Sequence, residues 1–178
     1  NKAMGFCFVN HVAIAVRYAL ERYGLQRVAI VDFDVHHGNG TEHILAGDDR
    51  VLMVSFFQHP FYPFSGTETP ASNMLNLPLP AYTRGMEMRE LVDLMWTPRL
   101  DDFRPELILV SAGFDAHQDD DMGQLRLNDQ DYVWLSDWVV RMAERHAQGR
   151  LVSVLEGGYE LHALARCVEQ HLRVLAGL

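Results

Sequence analysis

Residues 31–41, VDFDVHHGNGT, place two aspartates and two adjacent histidines within six positions, between an apolar run and a glycine-rich turn. Carboxylates and imidazoles so closely spaced are typical ligands of a divalent ion with mixed oxygen and nitrogen coordination. In an extended strand side chains alternate, so Asp32, Asp34 and His36 share one face while Phe33, Val35 and His37 share the other. Asp34 and His36 can then reach one ion together, which Asp34 and His37 could not easily do. Two ligands are too few for a zinc site, and Asp115 in AGFDAH is the best placed third. Two carboxylates and one imidazole leave a position open for water or substrate, which is the catalytic arrangement. An isolated D-x-H is usually a capped turn or a surface pair. Asp32, the glycine turn and Asp115 together favour the metal.

Two carboxylates nearly neutralise a divalent ion, so water there is less acidified than beside three histidines. Such a site needs a general base and a second electrophile for the developing oxyanion. Tyr159, behind Gly157 and Gly158 at the end of a strand, suits the oxyanion donor, although a buried structural tyrosine fits that position equally. No base is evident. His37 points to the opposite face, and His11, His43, His59, His117, His146, His162 and His171 fall mostly in helices or loops.

The elements that must position these groups alternate. Residues 11–24 read as a buried helix stopped by Gly24, 85–96 as a helix ending before Pro98, 129–149 as a long helix capped by Asn128, and 160–177 as a closing helix. Apolar β-branched runs at 27–33, 51–57, 106–114 and 151–159 read as buried strands. Residues 74–80 read as a shorter or edge strand limited by its prolines. This order predicts an α/β fold, a parallel sheet with helices on both faces. Ligands of such sheets bind beyond the carboxyl ends of the strands. There, 32–40, 55–63, 112–121 and 156–161 are all polar, aromatic or glycine-rich, and their convergence is the main sign of a site. The long irregular region 56–84 reads as functional for its length.

Composition narrows the classes. The 178 residues suit a single domain, 1–178, and 48% hydrophobic with 22% charged residues is a globular balance. No apolar run approaches a bilayer span and no leader pattern opens the chain, so membrane insertion and secretion are not expected. Cys7 and Cys167 form no metal clip or disulfide framework and read as reduced thiols of a cytoplasmic protein. A net charge of −9 argues against direct nucleic-acid binding and is compatible with small cationic or acetylated substrates.

Four motifs in order, GFCFVN (5–10), VDFDVHHGNGT (31–41), AGFDAH (112–117) and LEGGY (155–159), resemble the zinc-dependent histone deacetylase family. The HHGNGT and LEGGY forms resemble its class II and bacterial amidohydrolase branch. The resemblance implies an arginase-like parallel α/β sheet, with Zn2+ (or Fe2+ or Co2+) held by Asp34, His36 and Asp115 and Tyr159 polarising an acetyl carbonyl. It implies that Asp32 supports one catalytic histidine, and it sets Asn39 where other branches carry an aspartate facing the second. Gly5 and Phe6 would line an acyl-lysine tunnel opposite Tyr62. A structural K+ would be held by Asp32 and the carbonyls of Asp34, His36 and Phe56, with Ser55. Substrates would be acetylated lysine or acetylated small amines, and an oligomer is compatible with all of this.

The sequence departs from the family pattern at its start. The paired catalytic histidines belong just upstream of the GFCF-type motif, and no His-His pair precedes Gly5. The chain therefore reads as the C-terminal part of a deacetylase domain without its first strands, expected to have little activity alone. Two other readings compete. A dinuclear arginase-like hydrolase would want aspartates where Gly38 and His117 stand, and a non-catalytic acetyl-ligand or partner-binding module would show a damaged ligand set or lack Tyr159.

Overall fold

The structure is a computed structural model that describes residues 2–178. Five strands, β1 (Val28–Asp32), β2 (Val51–Gln58), β3 (Met74–Leu79), β4 (Leu107–Ala112) and β5 (Leu151–Leu155), form one parallel sheet in the order β3-β2-β1-β4-β5. Around it lie the helices α1 (His11–Arg22), α2 (Asn39–Leu45), α3 (Gly85–Leu91), α4 (Thr97–Phe103), α5 (Asp129–Ala147) and α6 (Leu161–Leu175). The expected α/β class is the observed one.

Strand alternation divides the core into two layers. Val28 and Ile30 pack with Val12, Val16 and Leu20 of α1 and with Leu45 of α2. Ala29 and Val31 face the other way, toward Leu135, Trp138 and Val139 of α5 and Cys167 of α6. Each fully buried valine, leucine or isoleucine contributes about 1.5–3 kcal/mol, so both faces must be covered. β1 is central and completely buried, and Asp32 at its end lies level with Ser55 of β2 and Ser111 of β4. That level is the floor of the site.

Several expectations shift. β1 stops at Asp32, β4 at Ala112 and β5 at Leu155, so Asp34, His36, Asp115 and Tyr159 all sit in loops just past their strands. The glycine-rich stretch after His37 is more than a turn, since it opens into α2. Within 56–84 lie the end of β2 and, as read at 74–80, the edge strand β3. The helix from Gly85 does not end before Pro98. A π-helical turn, Val92–Trp96, joins α3 to α4, with Thr97 N–H bonded to Val92 O, and Pro98 enters the first turn of α4, where its missing N–H is not needed. α1 is amphipathic rather than buried, with Ile14 and Tyr18 exposed. β5 is an edge strand, and Val152 and Leu155 are 48% and 57% exposed. Among the described residues no helix is long and apolar enough to cross a membrane.

Candidate functional site

The loop after β1 turns on its own aspartates. Asp32 Oδ1 accepts from Asp34 N–H (3.1 Å), and Asp34 Oδ1 accepts from His36 N–H (2.8 Å). These tight turns, not strand alternation, bring Asp34 and His36 to one side. Gly38 fits because a Cβ there would meet Asp32 Oδ2 at 2.5 Å.

Ligand atoms of Asp34, His36 and Asp115 all lie within 4.8 Å of one another. His36 Nδ1 is 3.0 Å from Asp34 Oδ1 and 3.2 Å from Asp115 Oδ2. Main chain fixes both carboxylates: besides the His36 amide on Asp34 Oδ1, Gly157 N–H donates to Asp34 Oδ2 (2.9 Å) and Val35 N–H to Asp115 Oδ1 (2.9 Å). Asp115 Oδ2 is buried without an aligned hydrogen bond, although His36 Nδ1 is near. A buried carboxylate oxygen left open, facing an imidazole nitrogen and a second carboxylate, fits a divalent cation. Glycines leave the room: a Cβ at Gly157 would lie 2.0 Å from Asp115 Oδ2, and one at Gly113 would lie 2.3 Å from Asp34 Oδ2.

The electrostatics describe crowded negative charge. Burial opposes a charged His36, yet its close contacts with the Asp115 and Asp34 carboxylates and their charges outweigh it and raise the imidazole to about 10. Burial and the Asp34 charge raise Asp115 to about 6. Glu156, which the sequence reading passed over, is pushed to about 7 by burial and by Asp34 and Asp115. Asp32 is raised well above the carboxylate range by burial, then by Asp34. A bound cation would relieve this repulsion.

Tyr159 lies beyond β5 and is 43% exposed, its ring edge-on to Phe6 at 6.1 Å. Burial and the Asp115 and Asp34 charges raise its phenol to about 12. Phe61 stacks on His36 at 5.5 Å, Tyr62 approaches it edge-on at 6.1 Å, and Tyr62 Oη accepts from Gly5 N–H (3.2 Å). Gly5, Phe6 and Tyr62 are thus brought to the rim beside His36 and Tyr159. Asn39 instead opens α2, its Nδ2 3.6 Å from Met4 Sδ. Ser55 Oγ reaches the Phe56 carbonyl at 3.5 Å, level with Asp32.

His37 is turned away, as expected, and is held by Glu42 (2.9 Å) and Ser65 (2.8 Å). A second cluster, His117, Asp129 and Cys167, also has ligand-like spacing. Its donors are spent within the protein, because Arg166 pairs with Asp129 (2.9 Å) and Asp119 N–H donates to His117 Nδ1 (3.1 Å). Sequence reasoning missed Asp120, whose carboxylate accepts from the Tyr159 and Glu160 amides. The acidic run QDDD gave no means of choosing among its members.

A parallel α/β sheet with an Asp–His–Asp cluster at its strand ends defines the class of protein, and comparison with known proteins supplies the family. The chain belongs to the histone deacetylase domain family, matching it over residues 1–175. It is 38% identical to a histone deacetylase-like amidohydrolase of Pseudomonas aeruginosa, an alignment covering 100% of this chain and 49% of that protein. It is 40% identical to a probable deacetylase of Archaeoglobus fulgidus, over 88% of this chain and 45% of that one. The histone deacetylase Clr3 matches with a TM-score of 0.87 at 29% identity, over 99% of this chain and 31% of its own. The HD domain of HDA15 gives 0.88 at 30%, over 98% and 51%. The chain spans about half the length of these relatives, or less.

Proposed function

We propose that the protein hydrolyses an acetyl amide, of a lysine side chain or a small amine, at a zinc ion held by Asp34, His36 and Asp115. The observation that carries this reading is the open, buried Asp115 Oδ2 facing His36 Nδ1 and Asp34. When bound, the ion supplies a Lewis acid that polarises a carbonyl and acidifies water. Fe2+ or Co2+ would satisfy the same ligands.

The residues of this chain do the rest. The His36 and Gly157 amides hold the two oxygens of Asp34 and the Val35 amide holds Asp115 Oδ1, so the carboxylates are aimed at the ion with Asp115 Oδ2 open toward it. Tyr159, raised to about 12, stays protonated at neutral pH and donates a hydrogen bond to the developing oxyanion. Gly5, Phe6 and Tyr62 flank a thin acylated chain and exclude water beside it. Asp32 would support one of a pair of histidines that serves as base in the whole protein and would lie ahead of Gly5, and Asn39 stands where other branches carry an aspartate facing the second. Asp32, Ser55 and the carbonyls of Asp34, His36 and Phe56 would hold a structural potassium ion. Residues 1–178 form one structural unit of the catalytic domain.

The test is a turnover panel on full-length protein with an acetyl-lysine peptide, an acetylated polyamine and a generic acetyl anilide, followed by acetate release. Turnover of at least one is expected, abolished by chelation and restored by zinc. Zinc-loaded, folded but inert protein would favour a binding module instead. Tyr159→Phe should keep the metal and lose roughly a hundredfold or more in kcat; near-normal turnover would remove Tyr159 from the mechanism.

A further inference from the structure

Tyr159 is poorly held by its own side chain. The ring is partly exposed, touches Phe6 only edge-on, and follows Gly158, whose φ of 138° is a conformation that favours glycine. A phenol that must meet a reacting carbonyl within a few tenths of an ångström needs a fixed main chain behind it. Asp120 provides the one charged contact to that main chain among the described residues. The residue is 4% exposed, and Oδ2 accepts from both Tyr159 N–H (2.6 Å) and Glu160 N–H (3.0 Å). Oδ1 accepts from Met122 N–H (2.9 Å), so three amides meet a buried carboxylate. Charge-assisted bonds of this kind are among the strong ones.

The placement matters as much as the bonds. Asp120 belongs to the same loop as Asp115, which follows β4, whereas Tyr159 follows β5. Glu160, the second amide it binds, is also the N-cap of α6, with its carboxylate accepting from His162 and Ala163. The loop that offers Asp115 to the site therefore also grips the segment that offers the phenol.

We propose that Asp120 is a positioning residue: its carboxylate clamps the Tyr159–Glu160 main chain to the Asp115 loop and so sets the phenol's place relative to Asp34, His36 and Asp115. It touches no reacting atom. The role in turnover rests on the deacetylase reading; the clamp itself does not.

The experiment compares Asp120→Ala, Asp120→Asn, Tyr159→Phe and the Asp120→Ala/Tyr159→Phe double variant in full-length protein. Asp120→Ala should lower kcat on the reactive substrate by roughly ten- to a hundredfold with KM within about twofold and metal content unchanged. Asp120→Asn, which keeps an acceptor oxygen, should recover to within about fivefold of the parent. Added to Tyr159→Phe, Asp120→Ala should cost less than about twofold more, since it acts through the phenol. A full additional loss in that background would overturn the proposal. Amide exchange supplies a readout free of activity: protection should fall at residues 159 and 160 in Asp120→Ala, with β1 and β4 unchanged. Unchanged exchange at 159 and 160 overturns the clamp. If the parent enzyme turns over none of the substrates, the deacetylase reading fails while exchange still decides the clamp. Should Asp120→Ala not fold, a partial loss of the same protection in Asp120→Asn supports it and parental protection overturns it.

Discussion

Two histidines withdrawn from solvent behave in opposite ways. His36, at the ends of β1 and β4, faces two carboxylates and is raised to about 10. His171, on α6, is lowered to about 4 by burial. Its ring is sandwiched between hydroxyls, with Ser136 Oγ 2.7 Å from Nδ1 and Ser153 Oγ 2.9 Å from Nε2, and edge-on to Phe33 and Phe114. Every polar atom of that ring is met by a neutral partner. Around His36 the carboxylates outnumber their partners and one oxygen stays open. The His171 arrangement is satisfied within the protein, while on the proposed reading the His36 arrangement is completed by a cation. A site of this kind costs stability until it is filled.

The largest effect that can break this comparison is at Asp115. Asp115→Asn keeps the Val35 bond and removes the charge, so metal per chain should fall from about one to near zero and turnover by roughly a thousandfold. The metal-free variant should nonetheless unfold at the same or a higher temperature than the metal-free parent, because a desolvated charge is gone. Calorimetry and elemental analysis on one sample read both. A lower midpoint in the metal-free state would make Asp115 structural.

Gly157→Ala tests the room left for the ion. Its Cβ would fall on Asp115 Oδ2 and crowd Asp34, so metal affinity should drop by roughly ten- to a hundredfold while the sheet remains folded. Competition with a chromophoric chelator measures it, and parental affinity would mean that the carboxylates move freely.

Proton linkage sharpens the contrast between the histidines. With His36 raised to about 10, metal must displace its proton, so apparent affinity should rise about tenfold per pH unit between roughly 7 and 9. Titration calorimetry in two buffers should count close to one proton released at neutral pH. For His171 the shift is in the opposite direction, downward, and it is fold stability that depends on pH. Its folded value of about 4 lies below the unfolded value near 6.5, so the unfolded chain binds more protons in between. Its contribution is complete above about pH 6.5 and is lost on acidification toward 4, by up to roughly 1.4 kcal/mol per unit. Urea unfolding at pH 5 and 7.5 should show a shallower dependence in His171→Gln; an identical slope would mean that the ring titrates normally.

Asp34 and His36 come to one side, but not by the strand alternation that suggested it. Alternation along an extended strand predicted that Asp34 and His36 face together, but β1 ends at Asp32 and the two are joined by aspartate turns. Spacing alone could not separate the alternatives, since both conformations place residues two apart on one side. The helix through Pro98 was misread because a proline ends a regular helix, and only a π turn, invisible in periodicity, lets the chain continue. α2 was hidden by the glycines of GNGT, which read as turn chemistry.

Local chemistry along the chain determined the strands, most of the helices, the parallel α/β class and the polar character of the strand ends, because burial periodicity and turn residues act over a few neighbours. Which carboxylate oxygen stays open, which histidine is neutral, and which of three consecutive aspartates grips Tyr159 were decided only by the tertiary structure. Those properties depend on groups 35 to 123 positions apart brought within hydrogen-bond reach, a separation at which sequence spacing carries no geometry.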